Sequence, residues 1–255
     1  KLVSGLAGLL LATSAVLAAD AAPAAPQKLV LKSDSADGVW RFYPAENADP
    51  KLPRVLLIGD SIMNNYRHGV AKALAGKATV DCWLTPITLK SPELYDDLRQ
   101  VLQQGPYAVV HFNIGLHEWP KGFIPDGKYE PLLKDYVQVF LKEAKGAKLI
   151  WASTTQISDD ANFATLDPVN NPTIVERNAI AAKVMKKYGI AVNDLYGLME
   201  GKLNLKRDKF HWNAEGYGLQ AEAVAGAIAP LLPQPVAGNA EQDEVAKFPK
   251  CYADK

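Results

Sequence analysis

The chain reads as an α/β protein, a parallel sheet covered by helices on both faces. Three observations give this reading. Strand-like and helix-like stretches alternate from about residue 53 onward. The strand-like stretches are near-continuous apolar runs, as in parallel strands whose two faces are both buried. The stretches between them carry apolar residues three or four apart, the spacing of one helix face.

Taken in order, Arg54-Val55-Leu56-Leu57-Ile58-Gly59 is the first strand, ending in a glycine. Residues 78–84 form a second, 107–113 a third, 148–153 a fourth, and Ile190-Ala191-Val192 a shorter fifth. Leu133, Tyr136, Val137, Phe140 and Ala144 form one helical stripe. Ile180, Val184, Met185 and Tyr188 form another, stopped by Gly189. Tyr217, Ala221, Val224, Ala225 and Ile228 make a last helix that ends before Pro230. These stripes are core positions. His111 falls inside a strand and reads as a core histidine, whereas His68 reads as a surface residue.

Composition sets outer limits. Of 255 residues, 48% are apolar and 22% charged, which is ordinary for a globular protein. Lys+Arg and Asp+Glu stand at 28 each, so no net charge draws in nucleic acid. Length and pattern give one core domain over 52–232, preceded by a leader and lead-in over 20–51 and followed by a polar tail over 233–255. Residues 1–19 have a basic start, an apolar middle and small residues at the end, the pattern of a secretory signal peptide. The apolar run is short for a bilayer span. The expectation is therefore a periplasmic or secreted protein with no stable membrane span once the signal is cleaved. In an oxidising compartment Cys82 and Cys251 can pair. A buried thiol and an exposed one is the equal alternative, because spacing alone does not supply disulfide geometry.

Three stretches carry chemistry. Gly59-Asp60-Ser61-Ile62 follows the first strand and opens a helix, where α/β folds place their sites. A serine hydroxyl there becomes a nucleophile when a base takes its proton, and its backbone N–H can face an oxyanion. Asp208-Lys209-Phe210-His211 offers that base, since a carboxylate three residues ahead of a histidine can hold its Nδ1–H and leave Nε2 free. Asn113-Ile114-Gly115-Leu116-His117-Glu118-Trp119 ends the central strand with side-chain donors at Asn113 and His117 and a glycine that permits close approach. Trp119 and Trp212 each flank one of these loops and are candidate walls for a sugar ring, or else core packing. Four scattered histidines and two remote cysteines show no metal-ligand spacing.

Together these stretches resemble the SGNH (GDSL-like) hydrolase family. Gly59-Asp60-Ser61 matches its first block and Asp208-x-x-His211 its last, while Gly115-Leu116-His117-Glu118 stands at its Gly-x-Asn-Asp block with histidine in place of asparagine. The similarity spans roughly 52–232 and includes Thr154-Thr155 and Arg177-Asn178. The resemblance implies a three-layer sandwich with a flavodoxin-like, parallel five-stranded sheet. It implies a triad of Ser61, His211 and Asp208, and an oxyanion hole drawn from Ser61, Gly115 and either Asn113 or His117. The family's second block gives a glycine N–H to that hole. The 86–91 segment has no glycine, leaving the amide of Thr88 or Leu89 for the role. The function implied is an exported, cofactor-free serine esterase acting on acyl esters of carbohydrates, most plainly acetyl esters. A lipid esterase or thioesterase, and a catalytically silent carbohydrate-binding protein, are the other readings.

Overall fold

Five short apolar strands line up in parallel because each is too hydrophobic to face water on either side. The computed structural model describes residues 29–46 and 48–233. The strands are β2 (Arg54–Gly59), β3 (Thr79–Leu84), β4 (Val109–Phe112), β5 (Lys148–Ala152) and β6 (Ala191–Asn193). The sheet order is β1-β3-β2-β4-β5-β6, and every pairing is parallel except that of β1 (Phe42–Tyr43) with β3. The expected five-stranded parallel sheet is therefore present, with one short antiparallel strand added at its edge.

Side chains along β2 alternate between two cores. Val55 and Leu57 pack with α1 (Ser61–Ala73), α5 (Leu195–Met199) and α6 (Ala214–Ile228), while Leu56 and Ile58 pack with α2 (Pro92–Leu102), α3 (Tyr129–Glu143) and α4 (Asn171–Tyr188). All four are fully buried, each worth about 1.5–3 kcal/mol relative to exposure. The helical stripes read from sequence are these buried faces: Leu133, Tyr136, Val137 and Phe140 on α3, and Tyr217, Ala221, Val224, Ala225 and Ile228 on α6. The α4 helix starts at Asn171, before its apolar stripe, and stops at Gly189, whose φ of 67° suits a residue without a Cβ. On the face shared by α1 and α6, a Cβ on Gly69 would lie 2.7 Å from that of Ala221, so the glycine lets the two helices meet.

The lead-in is part of this body. Asp97 of α2, itself fully buried, accepts the amides of Lys32 and Ser33 at 2.9 and 2.7 Å. The β1 strand then covers the edge of β3, and Tyr43 lies beneath the guanidinium of Arg67 at 4.1 Å. An aromatic run, Trp40-Arg41-Phe42-Tyr43, gave the available signal for a strand here. Cys82 is buried in β3, with no disulfide among the described residues. The signal-peptide residues, Cys251 and the tail from residue 234 lie outside the described residues.

Candidate active site

Parallel strands end on one side of the sheet, and the loops that leave them there gather the polar residues. Ser61 is the first residue of α1, directly after β2. Asp60 caps the helix by accepting the Ile62 amide at 2.9 Å. Burial raises the Asp60 carboxyl above its ordinary range, against the opposing pull of His117 and His211. Helix geometry leaves the first amides of α1 without an intrahelical acceptor, Ser61 N–H among them, at the positive end of the helix dipole. Gly59 permits the turn, since a Cβ there would sit 2.7 Å from that of Met63.

The 206–213 loop brings His211 to the serine. Ser61 Oγ lies 2.9 Å from His211 Nε2, and His211 Nδ1 lies 3.0 Å from both carboxylate oxygens of Asp208. The loop supplies much of its own geometry. Asp208 Oδ1 also accepts the amides of Phe210 and His211 at 2.9 and 2.8 Å, and Arg207 N donates to His211 O at 2.9 Å. Burial acts to raise the Asp208 carboxyl. The two backbone amides and the His211 ring outweigh it, and the group is held below its ordinary range. Asn213 accepts the Gly216 amide at 2.9 Å and so caps α6. The His211 side chain is 24% exposed, so the hydrogen-bonded chain opens to solvent.

The loop after β4 is built from distant parts of the sequence. Asn113 Nδ2 donates to Ala152 O at 2.7 Å and to Thr154 Oγ1 at 3.2 Å, which commits its amide to the neighbouring strand end. Gly115 presses on the same threonine: a Cβ there would lie 2.5 Å from Thr154 Oγ1. Thr154 is clamped in turn by Asn178, which accepts its amide and donates to its carbonyl. His117 lies on a 3-10 turn, Leu116–Glu118, with an exposed ring edge-on to Trp40 at 5.4 Å. The two candidate donors thus differ in setting: the Asn113 amide is bonded within the protein, and His117 is exposed.

Sequence reasoning gave no role to two residues here. Glu118 is fully buried, and burial pushes its carboxyl up to about 7. Its Oε1 accepts the Leu89 amide, tying the 85–91 loop to this one. That bond uses the Leu89 N–H, which removes it as a free oxyanion donor and leaves Thr88 as the remaining amide of that pair. The other is Trp40, which the lead-in places against His117. The signal for Glu118 was a carboxylate between Leu116 and Trp119 in an apolar setting.

The two candidate tryptophan walls differ. Trp212 is fully buried, and its indole N–H reaches Thr155 Oγ1 at 3.3 Å. With no exposed surface it is a core residue, in one cluster with Tyr217, Ala221 and Val224 of α6. Trp119 is half-buried and leans on Phe210 at 5.3 Å, with the Lys209 ammonium 5.0 Å from its ring. His111 is buried in β4, its Nε2 is 3.3 Å from Asn193 Nδ2, and burial lowers its pKa to about 3, so the ring is neutral. Among the described residues no group of acidic, histidine and cysteine side chains is arranged to hold a metal ion.

No protein-family model matches the chain, and no curated protein matches its sequence. Solved structures do match in shape. A carbohydrate acetylesterase from Sinorhizobium meliloti superposes with a TM-score of 0.56 at 14% identity, over 70% of this chain and 99% of that one. A lipase/acylhydrolase from Enterococcus faecalis gives 0.56 at 18% identity, over 73% and 100%. The aryl esterase of M. smegmatis gives 0.58 at 15% identity, over 71% and 100%. At these identities the likeness is one of architecture, and the chain shares the three-layer α/β fold of these esterases and acylhydrolases.

Proposed function

We propose that this protein is a serine esterase that removes acyl groups, acetyl above all, from carbohydrate esters. The observation that carries the reading is the continuous chain Ser61 Oγ–His211 Nε2 at 2.9 Å and His211 Nδ1–Asp208 at 3.0 Å. It stands at the carboxyl ends of parallel strands, where α/β folds bind ligands. In this reading His211 takes the Ser61 proton as the hydroxyl attacks the ester carbonyl. Asp208 holds the ring in the right tautomer and stabilises the imidazolium. The oxyanion is met by the Ser61 amide at the start of α1, by the backbone at Gly115 and by the His117 ring. Asn113 acts as a buttress. His211 then returns its proton to the leaving alcohol, and water releases the acyl group by the same steps in reverse. These steps use only residues of the chain.

The likeness in fold to a carbohydrate acetylesterase supports an acetyl group on a hydroxylated partner. Beside the catalytic loop, a groove of about 540 Å³ between α1 and α6 carries Asn65, Arg207 and Asn213 on its walls. Trp119 and Phe210 add an aromatic rim. The signal-like residues 1–19 support an exported enzyme, periplasmic or secreted. Among the described residues no helix is long and apolar enough to cross a membrane.

The test is an acyl-chain series of p-nitrophenyl esters together with acetate release from an acetylated oligosaccharide. Acetyl esters should be cleaved much faster than those of eight or more carbons, and Ser61→Ala should abolish both activities. Equal or faster cleavage of long chains moves the assignment to a lipid esterase or thioesterase. Normal activity in Ser61→Ala removes the serine mechanism altogether.

A further inference from the structure

Beneath the catalytic loop lies a lysine that the reaction itself does not use. Lys206 is 9% exposed, and among the described residues no carboxylate lies within ion-pair distance of its ammonium. Its Nζ instead donates to two backbone carbonyls, Gln156 O at 2.6 Å and Phe210 O at 2.9 Å. The same atom lies 4.0 Å from the centre of the buried Trp212 ring. Burial lowers its pKa to about 7, with the charge of Asp208 pulling the other way. Placing an ammonium there has a desolvation cost that an apolar side chain of the same length would not have. The position therefore calls for an account beyond packing.

The two carbonyls supply one. Phe210 lies between Asp208 and His211, and Gln156 lies in the segment that continues β5 toward α4. The bonds inside the 207–211 turn fix its shape without fixing where it stands over the sheet. That second task falls to contacts with the 155–158 segment: Ser158 N to Lys209 O at 2.9 Å, Trp212 Nε1 to Thr155 Oγ1 at 3.3 Å, and the Lys206 bridge. Two of these hold the backbone between the two catalytic side chains, the Ser158 bond at Lys209 and the Lys206 bridge at Phe210, and the Lys206 bridge is the one at the residue next to His211 and the one a side-chain substitution can remove. We propose that Lys206 is a positioning residue, which fixes the Asp208–His211 turn to the end of β5 and so keeps His211 Nε2 at hydrogen-bond distance from Ser61. This rests on the serine-esterase reading above.

The bridge acts on the base and not on bound ester, so it should be felt in kcat and not in KM. A shift of the order of an ångström in a catalytic group can cost about 100-fold in rate. In Lys206→Met, kcat on p-nitrophenyl acetate should fall about 10- to 100-fold while KM stays within about two-fold. The rate at which a fluorophosphonate modifies Ser61 should fall by the same factor, since that step also needs His211. Lys206→Arg, whose guanidinium can donate to both carbonyls, should recover part of the loss. Assays run well below the variant's unfolding temperature separate this from a loss of stability. A folded Lys206→Met with wild-type kcat and wild-type Ser61 labelling overturns the proposal. So does a raised KM at unchanged kcat, which would make Lys206 a binding residue. If the Met variant does not fold, Lys206→Gln takes its place: a kcat-only loss supports the bridge, and an unchanged kcat overturns it. Ser61→Ala marks which reading fails. Activity in that variant sinks the serine mechanism and this inference together, whereas an inactive Ser61→Ala beside a normal Lys206→Met sinks the inference alone.

Discussion

The loop bearing Asp208 and His211 reaches Ser61, the loop bearing Asn113 and His117 lies beside the neighbouring Asp60, and the two are built differently. In the first, the bonds that set the geometry span two to four residues: Asp208 to the amides of Phe210 and His211, Asp208 to the His211 ring, and Arg207 N to His211 O. In the second they span tens of residues: Asn113 to Ala152 and Thr154, Glu118 to Leu89, and the Arg177 guanidinium to the Glu118 carbonyl. A self-contained turn keeps its form wherever the chain places it. A loop held by distant partners can exchange one side chain for another as long as the framework around it stays closed. The base-bearing loop should therefore respond to substitution as one catalytic unit, and the other loop should divide its losses between rate and stability.

The largest expected effect breaks the unit. His211→Ala should lower kcat on the order of a million-fold and Asp208→Asn on the order of 10,000-fold, read by steady-state kinetics on p-nitrophenyl acetate with both proteins folded. A modest loss in either would mean that the turn is a surface feature. In the second loop, His117→Ala should reduce kcat about 100- to 1000-fold with little change in KM or melting temperature. Asn113→Ala should do the reverse, keeping most of kcat but losing about 1–3 kcal/mol of stability, because the Ala152 carbonyl is left without its donor. If the two variants exchange these outcomes, Asn113 is the oxyanion donor and His117 is part of the rim.

The tryptophans refine the contrast. Trp212→Ala should cost about 3–5 kcal/mol in denaturant unfolding, as for a large buried ring. Trp119→Ala should cost about 1 kcal/mol or less and raise KM for an acetylated saccharide about 3- to 10-fold. The smallest effect concerns acid. The Asp208 carboxyl is held below its ordinary range in the folded protein. Its contribution to stability is thus present at neutral pH and is lost as pH falls through that lowered value. Between about pH 6 and pH 3 the urea midpoint should fall less in Asp208→Asn than in wild type. An equal fall in both would mean that the aspartate is not linked to folding.

The same division explains what could be read from the sequence. Five strands, their parallel pairing and the helical stripes rest on local apolar periodicity, and Ser61 and the Asp208–His211 turn rest on spacings of a few residues. What stayed open in the sequence depends on distant contacts. Asn113 and His117 could not be separated without knowing that Ala152 and Thr154 engage one of them. Nor could Leu89 be set aside before Glu118 was seen to accept its amide. Trp212 looks like a ligand wall because it adjoins His211, yet its ring faces Thr155 and the core. The Trp40-Arg41-Phe42-Tyr43 run has strand composition, but two residues of edge strand give too short a pattern to announce a sixth strand or its contact with His117.

The serine itself can be tested without a substrate. Wild-type protein is incubated with a fluorophosphonate, digested, and the adduct is located by peptide mass spectrometry. One equivalent should be found on Ser61, and none should form at comparable speed in His211→Ala, because the hydroxyl reacts only when Nε2 can take its proton. An adduct on another residue, or esterase activity that survives complete modification of Ser61, would contradict the account.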